Sequence, residues 1–509
     1  MTSRVGLADR SYVLAAMTCF GVAALLVYAM VGGPHFSNIF DARLEWACLL
    51  LACGIVTMSA WWARYRGRLD FFEFPTWISF NLFGQVIAPY WLLAKDIYFY
   101  PSLRFDYEHW MLMAVLLFAV CLSAVWCGYI LVWRHLRITA WPVRQLDLTR
   151  TIFVWTVLWG ANSTVAFLGY NPQTWGGSGA GTWNNYMAFV GILLTAANSA
   201  LMIFHFRHPS NLGWIWLIGT LGVSLVSGLA IGTRGAALVF VNVFMVAYYA
   251  SRRYMWQWLV IGALALVVLV PAATTLRAII PRFERVNTSE RLEVVSQAIS
   301  NTMHRPASEL TQDVVELFQR RQGDLFLVTA SVMRQHPTMR PFLGLQMLEA
   351  LAQNVIPRVL WPSKPAGTNK LYYINTWYTD TIEETSFADI GLFADSYRTG
   401  GWLFSFVFFM FLGGFMAWVY WRGPATDHGE WTVLYIVLLG VFAYSAAILE
   451  SVTFVLQRAI PVWIFIISAL FPRTDDTTMQ EQKDSYLSRR DLSTRFGPPR
   501  SVTNDQVSR

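Results

Sequence analysis

The sequence predicts an all-α protein that crosses a membrane many times, and three observations carry that prediction. Of its 509 residues 55% are hydrophobic and only 14% charged, where a soluble chain carries about a quarter charged residues. The mean hydropathy is +0.42. The apolar residues come in runs close to the roughly 20 that a helix needs to cross a bilayer, and one long polar stretch, Leu276 to Gly401, interrupts them.

Taken in order, the apolar runs fall near 11–31, 44–63, 72–93, 110–133, 151–170, 185–206, 213–231, 235–251, 256–275, 402–421, 431–449 and 454–471, about twelve spans by length. The chain then divides into an N-terminal bundle over 1–275 of about nine helices, an extracytoplasmic loop domain over 276–401, about three helices over 402–471, and a polar tail over 472–509. That tail has mixed charge and no apolar periodicity, which predicts disorder. The third run carries Glu73 and Pro75 at its start and Asn81 and Gln85 within it.

Charge sets the orientation. With a cytoplasmic N-terminus, the inner loops hold Arg4, Arg10, Arg64, Arg66, Arg68, Arg134, Arg137, Arg144, Arg150, Arg207, Arg252, Arg253 and Arg422. The short outer loops then hold only Arg43, Lys95, Arg104 and Arg234, joined by Arg458 if it snorkels outward. This positive-inside bias predicts both termini in the cytoplasm and the long polar stretch outside, away from nucleotide sugars. The net charge of +7 is scattered over short loops, so no nucleic-acid partner is expected. All five cysteines lie in apolar runs, and neither a disulfide framework nor a thiolate metal site is expected outside the membrane.

Within the outer stretch, 13 Lys/Arg balance 13 Asp/Glu. TQDVVELFQRR (Thr311 to Arg321) and LFLVTASVMRQH (Leu325 to His336) show helical spacing, and predict two short helices on the membrane surface. Leu345 to Val355 reads as another helix, ended by Ile356-Pro357. IPRVLWPSKP (Ile356 to Pro365) holds three prolines in ten residues and must be a stiff, irregular turn. It carries Arg358, Trp361 and Lys364.

The candidate ligands are arginines. Arg234, between two apolar runs, reads either as a snorkelling residue at a helix end or as a bidentate phosphate ligand. Arg277, Arg282, Arg285 and Arg291 follow the ninth run at headgroup depth, free to hold a diphosphate or to pair with Glu284, Glu290 and Glu293. Candidate general bases are Asp324, His336, Asp395, Glu383, Glu384 and Asp389, with His304 further off. Trp361, Tyr372, Tyr373 and Trp377 offer flat faces to sugar rings or pack the loop. The chain has no HExxH, no Walker loop and, in the first outer loop, no Asp-x-Asp pair. The expected site is therefore metal-independent, without a cofactor, and uses arginines to neutralise a leaving diphosphate.

Three stretches carry a family resemblance: IGTRGAALVF (Ile231 to Phe240), NVIPRVLWPSKP (Asn354 to Pro365) and FADSYRTGGW (Phe393 to Trp402). Together they resemble the bacterial Wzy-type polymerases of oligosaccharide (O-antigen) repeat units, relatives of the O-antigen ligases. The family's Gly-Asp or Gly-Glu stands here as Ala394-Asp395, and its Asn-Phe-Gly as Arg398-Thr399-Gly400. The resemblance implies a GT-C-like inner-membrane enzyme that joins undecaprenyl diphosphate-linked repeat units at the outer face into O-antigen, capsule or exopolysaccharide. Arg234, Arg282, Arg291, Arg358 and Lys364 would hold the diphosphate, Asp324, Asp395 or His336 would act as base, and Trp361 and Trp377 would stack on sugars. Membrane lipids, a chain-length regulator and a flippase are the implied partners. The competing readings are an O-antigen ligase, a lipid-linked oligosaccharide flippase, disfavoured because no internal repeat is visible, and a structural partner of an envelope assembly whose outer stretch only docks another protein.

Overall fold

The computed structural model describes residues 42–67, 69–87, 107–135, 144–167, 181–230, 239–279, 288–347, 390–426, 428–443 and 459–471. Among them the regular structure is all helical: α1 Ala42–Arg66, α2 Phe74–Ile87, α3 Tyr107–His135, α4 Leu148–Phe167, α5 Gly181–Arg207, α6 Asn211–Ala230, α7 Val239–Ser251, α8 Trp256–Ile279, α9 Thr288–Met303, α10 Ala307–Gln335, α11 Leu392–Arg422, α12 Gly429–Ala443 and α13 Ile460–Phe465, extended as a π-helix over Ile466–Leu470. The run expected near 11–31 lies outside the described residues, and each of the other expected runs overlaps one of these helices.

Among the described residues, four segments are long and apolar enough to cross a membrane: Ala47–Arg66, His109–His135, Val190–Arg207 and Leu392–Arg422. Large apolar side chains also cover the outside of the bundle, among them Leu116, Leu131, Leu264, Leu403 and Phe411. Such a surface is costly in water and natural in lipid.

The core is built on α3 and α11, which run parallel. Gly413 meets the Val125 backbone, and eight residues further along each helix Trp421 meets Trp133. The backbones come so close that a Cβ on Gly128 would lie 1.8 Å from the Met410 carbonyl oxygen, and one on Gly413 2.2 Å from that of Val125. Glycine is required at both crossings because no side-chain shift can relieve a clash with backbone.

Three of the arginines that the charge count assigns to one side, Arg66, Arg144 and Arg252, lie at one end of the bundle. There Arg66 stacks on Trp421 at 4.1 Å, Arg252 donates to the Pro424 carbonyl, and Arg144 donates to the Ile467 carbonyl at 3.0 Å. Glu73 stands in the turn ahead of α2, whose helix begins at Phe74.

Two expectations change. The surface helices expected over 311–321 and 325–336 are a single 29-residue helix, α10. Its last part, Phe326 to Met333, is buried on every side, and Phe326 packs on Phe118 of α3 at 5.6 Å. FLVTASVM holds no charge, so nothing forces this segment to keep a face in water. The span expected to start at 402 is also preceded by a helical segment of its own, which shapes the site.

Candidate functional site

The third motif folds as a helical hairpin. Gly400 (φ −162°, ψ 27°) and Gly401 (φ 67°, ψ −154°) leave helical geometry, and the positive φ at Gly401 is one that glycine alone adopts easily. Residues 392–399 therefore turn back along 402–422. The Ser396 hydroxyl donates to Ser405 Oγ at 2.9 Å, and Phe393 stacks on Phe409 with ring centroids 4.8 Å apart. The descending arm of about 21 residues still spans some 31 Å at 1.5 Å per residue.

Asp395 opens the short arm and is fully buried. Its Oδ1 accepts from Arg398 Nε at 3.0 Å and from an Arg398 terminal nitrogen at 2.5 Å. The pair is one helical turn apart, the spacing at which side chains meet. Thr399 Oγ1 donates to the Asp395 carbonyl at 2.7 Å. A buried charge pair of this kind is costly to break from one side, because the remaining charge is left unpaired.

The loop that follows α10 closes over the hairpin. Leu343 N–H donates to the Arg398 carbonyl at 3.0 Å and Gly344 N–H to the Thr399 carbonyl at 2.8 Å, satisfying the end of the short arm. Phe342 packs edge-on against Tyr397 at 5.7 Å and lies over Gly401. His336, 1% exposed, starts this loop. Its Nδ1 donates to the Pro341 carbonyl at 3.0 Å, since a carbonyl only accepts, so Nε2 is the basic nitrogen of the neutral ring. Tyr397 reaches toward the His336 carbonyl at 3.5 Å. Burial pushes the imidazole below its ordinary value, hydrogen bonds to the Pro341 and Arg340 backbone oppose that, and the Arg398 and Arg340 charges add to it. His336 is thus neutral at pH 7.

The structure brings two of the expected site residues together: Arg398, which grips Asp395, also acts on His336. Asp324 lies on α10 three turns before His336, about 18 Å back along the axis. Arg291 lies on α9. Arg234, Arg282, Arg358, Lys364, Trp361 and Trp377 are outside the described residues. Sequence reasoning passed over Arg398, Tyr397 and Phe342. The i, i+3 spacing of Asp395 and Arg398 was the available signal for the first, and nothing local marks the other two. Among the described residues no three His, Cys, Asp or Glu side chains gather to hold a metal ion.

No curated protein and no solved structure matches this chain. A family model described as a domain of unknown function, DUF8712, matches residues 183–442, from α5 through the hairpin to α12. That is just over half of the sequence, and the chain belongs to the DUF8712 family.

Proposed function

We propose that this chain is a multi-pass glycosyltransferase of the bacterial inner membrane, with about twelve spans, both termini in the cytoplasm and a GT-C-like arrangement. It polymerises undecaprenyl diphosphate-linked oligosaccharide repeat units into a surface polysaccharide. The observation that carries this reading is the third motif: FADSYRTGGW forms a buried, charge-paired hairpin that meets the His336 loop, at the end of the bundle away from the short basic loops. By the positive-inside rule that end faces outward, where lipid-linked glycans are joined.

In this reaction a hydroxyl of the acceptor unit attacks the anomeric carbon of the donor glycan. The C–O bond to the lipid diphosphate breaks, and the diphosphate leaves with the electron pair. Arg234, Arg282, Arg291, Arg358 and Lys364 bind that growing charge. The base is Asp324 or His336, whose neutral ring keeps a basic nitrogen. Asp395 is engaged by Arg398 and serves to position it.

The test is reconstitution of the purified full chain in lipid discs with undecaprenyl diphosphate-linked repeat units and no nucleotide sugar. A ladder of lengthened lipid-linked glycans supports polymerisation. Transfer only after a lipid A core is added identifies a ligase, and no glycan transfer to either acceptor rejects the enzyme.

A further inference from the structure

The loop that carries His336 to the hairpin leaves two large apolar side chains exposed, Met339 at 63% and Leu345 at 80%. Pro337 and Pro341 beside them are exposed as well. The backbone builds this in. Thr338 Oγ1 donates to the Arg334 carbonyl at 2.9 Å, and the Met339 and Arg340 N–H groups share the Gln335 carbonyl at 2.9 and 3.0 Å. Further on, the Gln346 N–H donates to the Leu343 carbonyl at 3.0 Å across Gly344, whose φ is +50°. Between these two turns Phe342 packs inward on His336, Tyr397 and Gly401. Single exposed apolar residues are ordinary on a protein surface; depth is what singles out these two.

The loop is bonded through Leu343 and Gly344 to the turn of the hairpin, at the head of the arm 402–422. That arm ends at Trp421, on which Arg66 stacks, and at Arg422. Its length of about 31 Å matches a hydrocarbon layer of about 30 Å. With Trp421 and the arginines at one boundary of that layer, the loop lies at the other. Trp402, edge-on to Tyr397 at 5.7 Å, stands at the same level, where aromatic rings collect. Leu403, Val407 and Phe411 follow at helical spacing and are all exposed, a lipid-facing stripe that leads up to the hairpin turn.

Charge fits the same depth. From Leu325 to Leu348 the chain has no Asp or Glu and two arginines, Arg334 and Arg340. The turn between α9 and α10 is dressed differently: there Arg305 pairs with Glu309 at 3.3 Å and with Asp313 at 2.8 Å. Apolar and basic residues without carboxylates suit the headgroup level of a bilayer, where phosphates lie above acyl chains.

We propose that the loop 336–347 is a wedge seated in the membrane, whose partner is a lipid surface. Met339 and Leu345 enter the acyl boundary of the leaflet at the hairpin end. Phe342, whose ring lies 13° from parallel to that of His336 at 6.3 Å, then holds the imidazole at headgroup depth. The wedge rests on the span of 402–422 and stands whatever substrate the site takes. In the proposed reaction it lets a lipid-linked glycan meet His336 without leaving the bilayer.

Methionine oxidation of the wild-type chain in lipid discs, read by mass spectrometry, tests this without relying on activity. Met303, 67% exposed beside the Arg305 ion pairs, is the matched control. A water-soluble oxidant should modify Met339 at least about tenfold more slowly than Met303, the factor expected from taking such a side chain out of water. Leu345→Met conserves volume and puts a second sulfur on the wedge, which should be protected to the same degree. In the denatured chain all three should react alike. Met339 reacting as fast as Met303 overturns the insertion, and so does an unprotected sulfur at 345. Protection that grows with the number of chains per disc assigns the face to a second copy and overturns it too.

Discussion

Phe393 stacks on Phe409 at 4.8 Å, with ring planes 10° apart, although sixteen residues separate them. In one straight helix they would stand about 24 Å apart. The short arm 392–399 therefore lies inside the bundle, wedged against Phe118 of α3, and it carries a buried ion pair to the site.

The turn of that hairpin rests on Gly401. A side chain there meets both a φ of +67° and the Phe342 ring, 3.0 Å from an added Cβ. Gly401→Ala should lower the thermal unfolding midpoint in detergent, at a cost of about 1–3 kcal/mol for the strained backbone, and expose the His336 loop to proteolysis. An unchanged midpoint would mean that the hairpin does not hold this shape.

The α3–α11 crossing makes a second demand. Gly128→Ala places a methyl against the Met410 carbonyl and Gly413→Ala one against the Val125 carbonyl. Each should destabilise by about 1–3 kcal/mol as overpacking. Since both variants force apart the same pair of helices, their effects should be less than additive when combined, which paired unfolding measurements check.

Much of this architecture is legible in the residues, and the rest is hidden for definite reasons. Long apolar runs give the helices because lipid leaves the backbone few alternatives. The basic loops mark one end because each charge there is counted from sequence alone. The inward half of α10 was misread because helical spacing shows that a segment is helical without showing what surrounds it; only the lack of charge from Phe326 to Met333 hinted at burial. The hairpin was invisible because Gly400-Gly401 reads as the entry to a span as well as a reversal. Glu73 looked like a blemish at the start of a span, since Tyr129, Tyr420 and Tyr435 arrive from helices far along the chain.

The Asp395–Arg398 pair separates a positioning role from a catalytic one. Asp395→Ala leaves Arg398, 12% exposed, beside an empty partner, at a cost of about 3–5 kcal/mol. Arg398→Ala does the same to the fully buried carboxylate. The double variant should recover part of the loss, giving a coupling energy of about 1–3 kcal/mol in a double-mutant cycle of unfolding. Additive losses would separate the two residues.

Stability should depend on pH in two opposite ways. The Glu73 carboxyl is raised from 4.5 to about 7, so the folded state holds its proton longer than the unfolded chain. Its contribution is complete below 4.5 and is lost as pH rises to about 7, at most about 3 kcal/mol. His336 is lowered from 6.5, so its contribution is complete above that value and falls as the medium becomes more acidic. Glu73→Gln should abolish the loss of stability on the alkaline side of 6.5, and His336→Asn should flatten the acid limb. Denaturation of both variants across this range checks the signs, and an alkaline loss that survives Glu73→Gln would contradict the first.

The sharpest demand on the proposed chemistry falls at Arg358. The proposed function puts the Arg358 guanidinium of IPRVLWPSKP on the leaving diphosphate, where its planar fork can bind bidentately. A charge that acts on a developing leaving group should matter more for turnover than for folding. Arg358→Ala should therefore insert, express and unfold like the wild type, while elongation of lipid-linked repeat units drops by at least about a hundredfold. Arg358→Lys keeps the charge without the planar fork and should recover only part of the rate. Glycan ladders from the three proteins in matched amounts give the answer: normal chain lengths from the alanine variant would take Arg358 out of the site.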